Sequence, residues 1–180
     1  IWEYIFDTLK RHSCAIIYPE DGVVGKNFDD NPVIKGLAEI ESDDMILDIG
    51  PKTIKKIDNI INSSKTILWN GPAGYCENPN FAKGSNEIAK SIVKKCKKNS
   101  IYSVAGGGDT IAVLNKINAF KDFNFVSTAG GAFLEFLEGK ELPGIRALKN
   151  HVCIKYYRLE HPVWRDRNLG CCCTHGSYDE

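Results

Sequence analysis

Apolar positions along the chain recur with two spacings, and the switches between them mark out its elements. Residues 2–12, "WEYIFDTLKRH", set apolar side chains among charges at helical intervals, and "CAIIY" (14–18) reads as a short buried strand that Pro19 closes. "GKNFDDNP" (25–32) is a surface loop, and "ILDIG" (46–50) is a strand ended by Gly50-Pro51. A helix over 52–62 aligns Ile54, Ile57 and Ile61 on one face. "TILW" (66–69) is strand-like, whereas "NGPAGYCENPN" (70–80) has no period and reads as an irregular loop. A helix over 85–97 carries Ile88, Ile92, Val93 and Cys96 on one stripe. Its "KKCKK" end (94–98) places cations where the helix dipole favours them, which makes a solvated helix end rather than an anion site. Then come a strand "SIYSV" (100–104), a helix over about 109–117, a strand over about 124–128, a turn "TAGGA" and a helix "FLEFLEG".

Apolar, β-branched strands alternating with amphipathic helices predict an α/β fold: a partial Rossmann-like, three-layer parallel sheet with helices on both faces. Right-handed crossovers bring every strand-to-helix loop to one edge of such a sheet. Three unusual loops then fall side by side: "WNGPAG" (69–74), "AGGGDT" (105–110) and "STAGGA" (127–132). Glycine at the start of a helix lets a ligand approach the main chain, and the free N–H groups of the first turn attract anions such as phosphate. Asp109 is placed either to cap that helix or to hold a magnesium ion bridging phosphates, and Thr110 can offer its hydroxyl to a phosphate oxygen. A tight turn with a helix cap would also explain "GGGDT" taken alone. Neither a Walker A run nor a G-x-G-x-x-G fingerprint occurs, and protein kinase signatures are absent.

Composition narrows the reading further. Lys plus Arg and Asp plus Glu number 23 each, so a formal net charge of zero argues against nucleic-acid binding by bulk attraction. No apolar run is long enough for a bilayer, and no secretory pattern opens the chain, so no membrane association is expected. Seven cysteines without such a signal point to reduced thiols in the cytoplasm. The first residue is Ile1, which suggests a piece of something longer. His12, His151, His161 and His175 fall in no ligand pattern. Three successive cysteines in "CCCTH" (171–175) cannot easily converge on one tetrahedral zinc ion.

Five motifs in order and spacing resemble the phosphoglycerate kinase family: "DIGPKT" (48–53), "WNGPAG" (69–74), "FAKGS" (81–85), "GGGDT" (106–110) and "STAGGAFLEFLEGKELPG" (127–144). "YPEDGVVGKNF" (18–28) is similar, more loosely, to the family's Leu-Pro-x-Asp region. The resemblance covers residues 1 to about 149, and implies that 1–150 form the later part of a C-terminal nucleotide-binding domain. It implies reversible phosphoryl transfer between 1,3-bisphosphoglycerate and magnesium ADP, giving 3-phosphoglycerate and ATP, the ATP-forming step of glycolysis. Asn70, Gly71 and Pro72 match residues beside the nucleotide, Glu77 the acid on the ribose hydroxyls, and Leu47 the lining of the adenine pocket. Gly107, Gly108, Asp109 and Thr110 match the phosphate loop, with Asp109 the implied magnesium ligand. Thr128, Gly130 and Gly131 match the loop that receives the phosphoryl group, so Gly108 and Gly131 are the residues implied for catalysis.

There are departures. Ile46 stands where the family has glycine, and Ala129 where it has the first of three glycines. The family's N-terminal domain, which binds phosphoglycerate, and the first half of the nucleotide domain have no counterpart here. An isolated chain is therefore expected to be a monomer without turnover, and an inactive nucleotide-binding remnant of a split gene is the alternative. Residues 151–180 resemble nothing in the family and are expected to be a poorly ordered tail.

Overall fold

Two three-stranded sheets of opposite kind organise the chain in a computed structural model that describes residues 2–149. The expected tail, 151–180, lies outside the described residues. The chain divides into two units, residues 1–141 and residues from 142 onward.

The first unit opens with helix α1 (Trp2–Arg11), which has Glu3 in its first turn and Lys10 and Arg11 in its last. That arrangement suits the helix dipole. Ser13 then takes a left-handed conformation, φ 52°, and the chain turns away. "CAIIY" is not a strand. Ile16, Ile17 and Tyr18 are exposed, and neither sheet among the described residues includes this segment. A strand needs a partner edge for its backbone N–H and C=O groups, and this stretch has none, whatever its β-propensity.

Strands β1 (Asp21–Gly25), β2 (Val33–Gly36) and β3 (Met45–Ile49) form an antiparallel sheet in the order β2-β1-β3. The strand expected at 46–50 is thus present, but it pairs antiparallel with β1 instead of joining the parallel sheet. The register shifts between Val23 and Val24, the local irregularity of a bulge. Lys26 and Lys35 bridge the acids Glu41, Asp43 and Asp44 in the β2–β3 connection. The β1 and β3 strands enclose a small apolar cluster of Val23, Leu47 and Phe81, with Met45 and Tyr75 against it.

Helix α2 (Pro51–Ser63) follows β3 directly, with Pro51 at a position where no N–H is needed. Its cap comes from another strand. The Asp21 carboxylate accepts hydrogen bonds from the Lys52 and Thr53 N–H groups and from Thr53 Oγ1, at 2.7–2.9 Å. Any side chain at Gly50 would overlap that carboxylate, so glycine is required there. Burial raises the Asp21 pKa, but the hydrogen bonds from Thr53 and Lys52 outweigh it and hold the group below the ordinary value.

Strands β4 (Thr66–Asn70), β5 (Tyr102–Gly106) and β6 (Phe125–Ser127) form the parallel sheet in the order β4-β5-β6. Helices α3 (Lys83–Cys96), α4 (Gly108–Lys116) and α5 (Gly131–Leu137) complete the alternation. A cluster of thirteen buried residues joins Trp69 and Ala105 of the sheet to Ala89, Ile92 and Cys96 of α3 and to Val113 and Leu114 of α4. The other face of the sheet is open: Leu68 pairs in register with Val104, and Val104 with Phe125, while Leu68, Phe125 and Tyr102 are exposed. Among the described residues no helix is long and apolar enough to cross a membrane. Of the second unit, helix α6 (Pro143–Lys149) is described.

Candidate functional site

Parallel strands β4, β5 and β6 all deliver their carboxyl ends to one edge, so the loops after Asn70, Gly106 and Ser127 meet there. Contacts between the loops show how closely. The Gly71 N–H donates to Thr110 Oγ1 at 2.7 Å, tying the first loop to the second. Asn70 Oδ1 lies where a Cβ on Gly106 or Gly107 would come within 3.0 or 3.2 Å of it. A Cβ on Gly130 would stand 3.1 Å from the Gly107 Cα, which brings the third loop against the second. Gly107 has φ +92° and Gly71 φ +95°, conformations that favour glycine.

Around this knot the space is open. Nothing lies within 4 Å of the position a Cβ would take on Gly71, Gly108 or Gly131. Helix α4 starts at Gly108, and its first i→i−4 bond runs from Ile111 N–H to Gly107 O. The N–H groups of Gly108, Asp109 and Thr110 therefore have no partner within the helix. The cap of α4 is Gly107, and no side chain bonds there, so Asp109 does not cap the helix. Its exposed carboxylate has no hydrogen bond or ion pair among the described residues. A free carboxylate beside unpaired N–H donors, with room in front of them, fits magnesium and the phosphates it would accompany.

Other expected residues are distributed as follows. Thr110 is fully buried, and its hydroxyl acts as a strut between two loops. Glu77 is exposed, on the loop that follows Pro72. Thr128 is exposed beside a small turn in which the Ala129 N–H donates to Ser127 Oγ, ahead of α5 with Gly130 as its cap. The Leu47 side chain is packed with Val23 and Phe81, and its carbonyl accepts the Tyr75 N–H at 2.7 Å, on the same loop that carries Glu77.

Three residues to which the sequence reading gives no role hold this loop in place, two of them, Asp48 and Ser85, inside the quoted motifs. Ser85 Oγ accepts from the Ala73 N–H and the Cys76 thiol. Asp48, 2% exposed, accepts from the N–H groups of Gly84, Ile49 and Lys83, beneath Gly74. Burial pushes its carboxyl above the ordinary value against those hydrogen bonds. Lys116 Nζ donates to the Cys76 carbonyl at 2.6 Å. Partners 9 to 40 positions apart leave no periodic trace in a sequence, and only the glycines at 74 and 84 hint that something lies close.

Fold and site together define an α/β protein whose glycine loops gather at the carboxyl edge of a parallel sheet. Residues 2–140 match the family model described as phosphoglycerate kinase, and the chain belongs to that family. A phosphoglycerate kinase of Zymomonas mobilis is 48% identical over 147 residues, covering 81% of this chain and 37% of the relative. That of Rhodopseudomonas palustris is 46% identical over the same shares. Among solved structures, phosphoglycerate kinase from Coxiella burnetii superposes with a TM-score of 0.72 at 36% identity, over 81% of this chain and 37% of that one. The Pyrococcus horikoshii enzyme gives 0.66 at 32%, over 82% and 36%. The chain thus spans a little over a third of the length of these relatives.

Proposed function

We propose that residues 1–150 supply the later part of a phosphoglycerate kinase nucleotide domain, working with substrate-binding parts of the same enzyme. The reaction is phosphoryl transfer between 1,3-bisphosphoglycerate and ADP, giving 3-phosphoglycerate and ATP in the cytoplasm. The observation that carries this reading is the convergence of Gly71, Gly107 and Gly130 on one another, with open space before Gly108 and Gly131.

Such a transfer asks the protein chiefly for positioning and for charge stabilisation. Gly108, Asp109 and Thr110 offer backbone N–H groups to phosphate oxygens. The Asp109 carboxylate would hold magnesium, which when bound neutralises charge on those oxygens. Asn70, Gly71 and Pro72 form the wall beside them, Glu77 accepts hydrogen bonds from the ribose hydroxyls, and Leu47 backs the adenine end. Thr128, Gly130 and Gly131 face the phosphoryl group, and the absence of a Cβ at Gly108 and Gly131 keeps its path clear. No covalent nucleophile is needed.

Calorimetric titration of magnesium ADP tests the assignment. Asp109→Ala and Glu77→Ala are each expected to weaken binding about tenfold, the loss that follows from removing a charged hydrogen-bonding or metal-binding group. If both variants match the parent, the nucleotide site is elsewhere.

A further inference from the structure

The loop between β4 and α3 has little regular structure, yet its position is closely determined. Four bonds hold its first half: Gly71 N–H to Thr110 Oγ1, Ala73 N–H to Ser85 Oγ, Tyr75 N–H to Leu47 O, and Cys76 Sγ to Ser85 Oγ. The last main-chain group before Glu77 is the Cys76 carbonyl, and it accepts from Lys116 Nζ at 2.6 Å. Beyond Glu77, the Asn78 N–H returns to Tyr75 O and Asn78 Nδ2 reaches Phe28 O. We propose that Lys116 is a positioning residue that fixes where Glu77 stands, and through it the grip on the ribose of the bound nucleotide. This rests on the nucleotide-site reading above.

Helix α4 is what makes the arrangement effective. Its first turn carries Thr110, which holds Gly71, and its last residue is Lys116, which holds Cys76. Nine residues of helix span about 13 Å, so one rigid rod pins the loop at two separated points. The phosphate end and the ribose end of the site are then referred to the same helix. An ammonium on a carbonyl is a short, charge-assisted bond, stronger than one between neutral groups. The choice of acceptor matters too. Lys116 makes no ion pair with Glu77 among the described residues, so the Glu77 oxygens stay available to accept hydroxyl donors.

The test uses the full-length protein, with magnesium ADP and magnesium 2′,3′-dideoxy-ADP as calorimetric probes. Lys116→Met is expected to weaken ADP binding about fivefold to tenfold, in keeping with loss of a charged hydrogen bond. Dideoxy-ADP has no ribose hydroxyls for Glu77 to hold, so its affinity should be unchanged by the same substitution. Lys116→Arg should keep ADP affinity within about twofold, since it retains a charged donor. Adding Lys116→Met to Glu77→Ala should cost nothing further. Equal weakening of both nucleotides would overturn the proposal, because Lys116 would then serve the fold or the phosphates. Unmoved ADP affinity in Lys116→Met would overturn it as well, leaving the site reading intact. Unmoved ADP affinity in Glu77→Ala would remove the ribose assignment itself and the proposal with it.

Discussion

The two sheets of the first unit carry very different loads. The parallel sheet is backed by a thirteen-residue core that reaches from α3 to α4, and its strand ends carry the glycine loops. The antiparallel sheet is backed by a small cluster in which Val23 and Leu47 meet Phe81 of the β4–α3 loop, and buried carboxylates add to its attachment. Asp21 binds β1 to the start of α2, and Asp48 binds β3 to the start of α3. Apolar burial is non-directional and tolerant of small shifts, while a buried carboxylate demands its donors at fixed places. The parallel sheet therefore provides the platform, and the antiparallel one works as a directional bracket that sets the β4–α3 loop.

Core deletions should separate the two regions most strongly. Phe81→Ala removes the largest member of the small cluster and is expected to cost about 3–5 kcal/mol; Leu114→Ala, in the large one, about 2–5 kcal/mol. Hydrogen exchange should then show protection lost first over 21–49 for Phe81→Ala, with 102–127 less affected. Equal loss in both sheets would break the distinction. A smaller effect is expected at the knot between loops. Thr110→Val leaves the Gly71 N–H without its acceptor and should cost about 1–3 kcal/mol in thermal unfolding, while Thr110→Ser should stay close to the parent.

The two bracket carboxylates should respond oppositely to pH. Asp21 has a lowered folded pKa, so its contribution is present above the unfolded value, about 4, and is lost as pH falls through the folded one. Asp48 has a raised folded pKa, so its contribution is present below about 4 and is lost as pH rises through the folded value. Melting temperatures from pH 3 to 7 should show Asp21→Asn flattening the acid-side fall and Asp48→Asn flattening the loss on raising pH. The reverse pattern would contradict the hydrogen-bond assignments. Least of all should change on the open face: Tyr102→Thr is expected to shift stability by no more than about 0.5 kcal/mol, because its ring is already exposed.

The same contrast explains what could be seen in advance. Helices α2, α3 and α4 and strands β4, β5 and β6 follow from periodicity, since each has a buried stripe or alternating face. β1 and β2 escape it: "DGVVG" is buried along its whole length and begins with an acid, and "VIKG" is four residues with no fully buried position. "CAIIY" has the pattern of a strand without a partner edge. At the site, glycines mark the loops because close approach excludes side chains, as at Gly106, Gly107 and Gly130. Lys116, Ser85 and Asp48 act across 40, 12 and 36 positions in the chain through hydrogen bonds: Lys116 reads as an ordinary surface lysine, and although Ser85 and Asp48 fall inside quoted motifs, the motifs do not tell what they bond.

The central claim is that the open space before Gly108 receives nucleotide phosphates together with a cation on Asp109. The magnesium dependence of ADP affinity measures this directly. In the parent, ADP should bind about tenfold more tightly with saturating magnesium than with chelator, the gain expected of one carboxylate–metal contact. In Asp109→Asn that gain should vanish while magnesium-free affinity stays the same or rises slightly. An Asp109→Asn variant that keeps the full magnesium dependence would contradict the account.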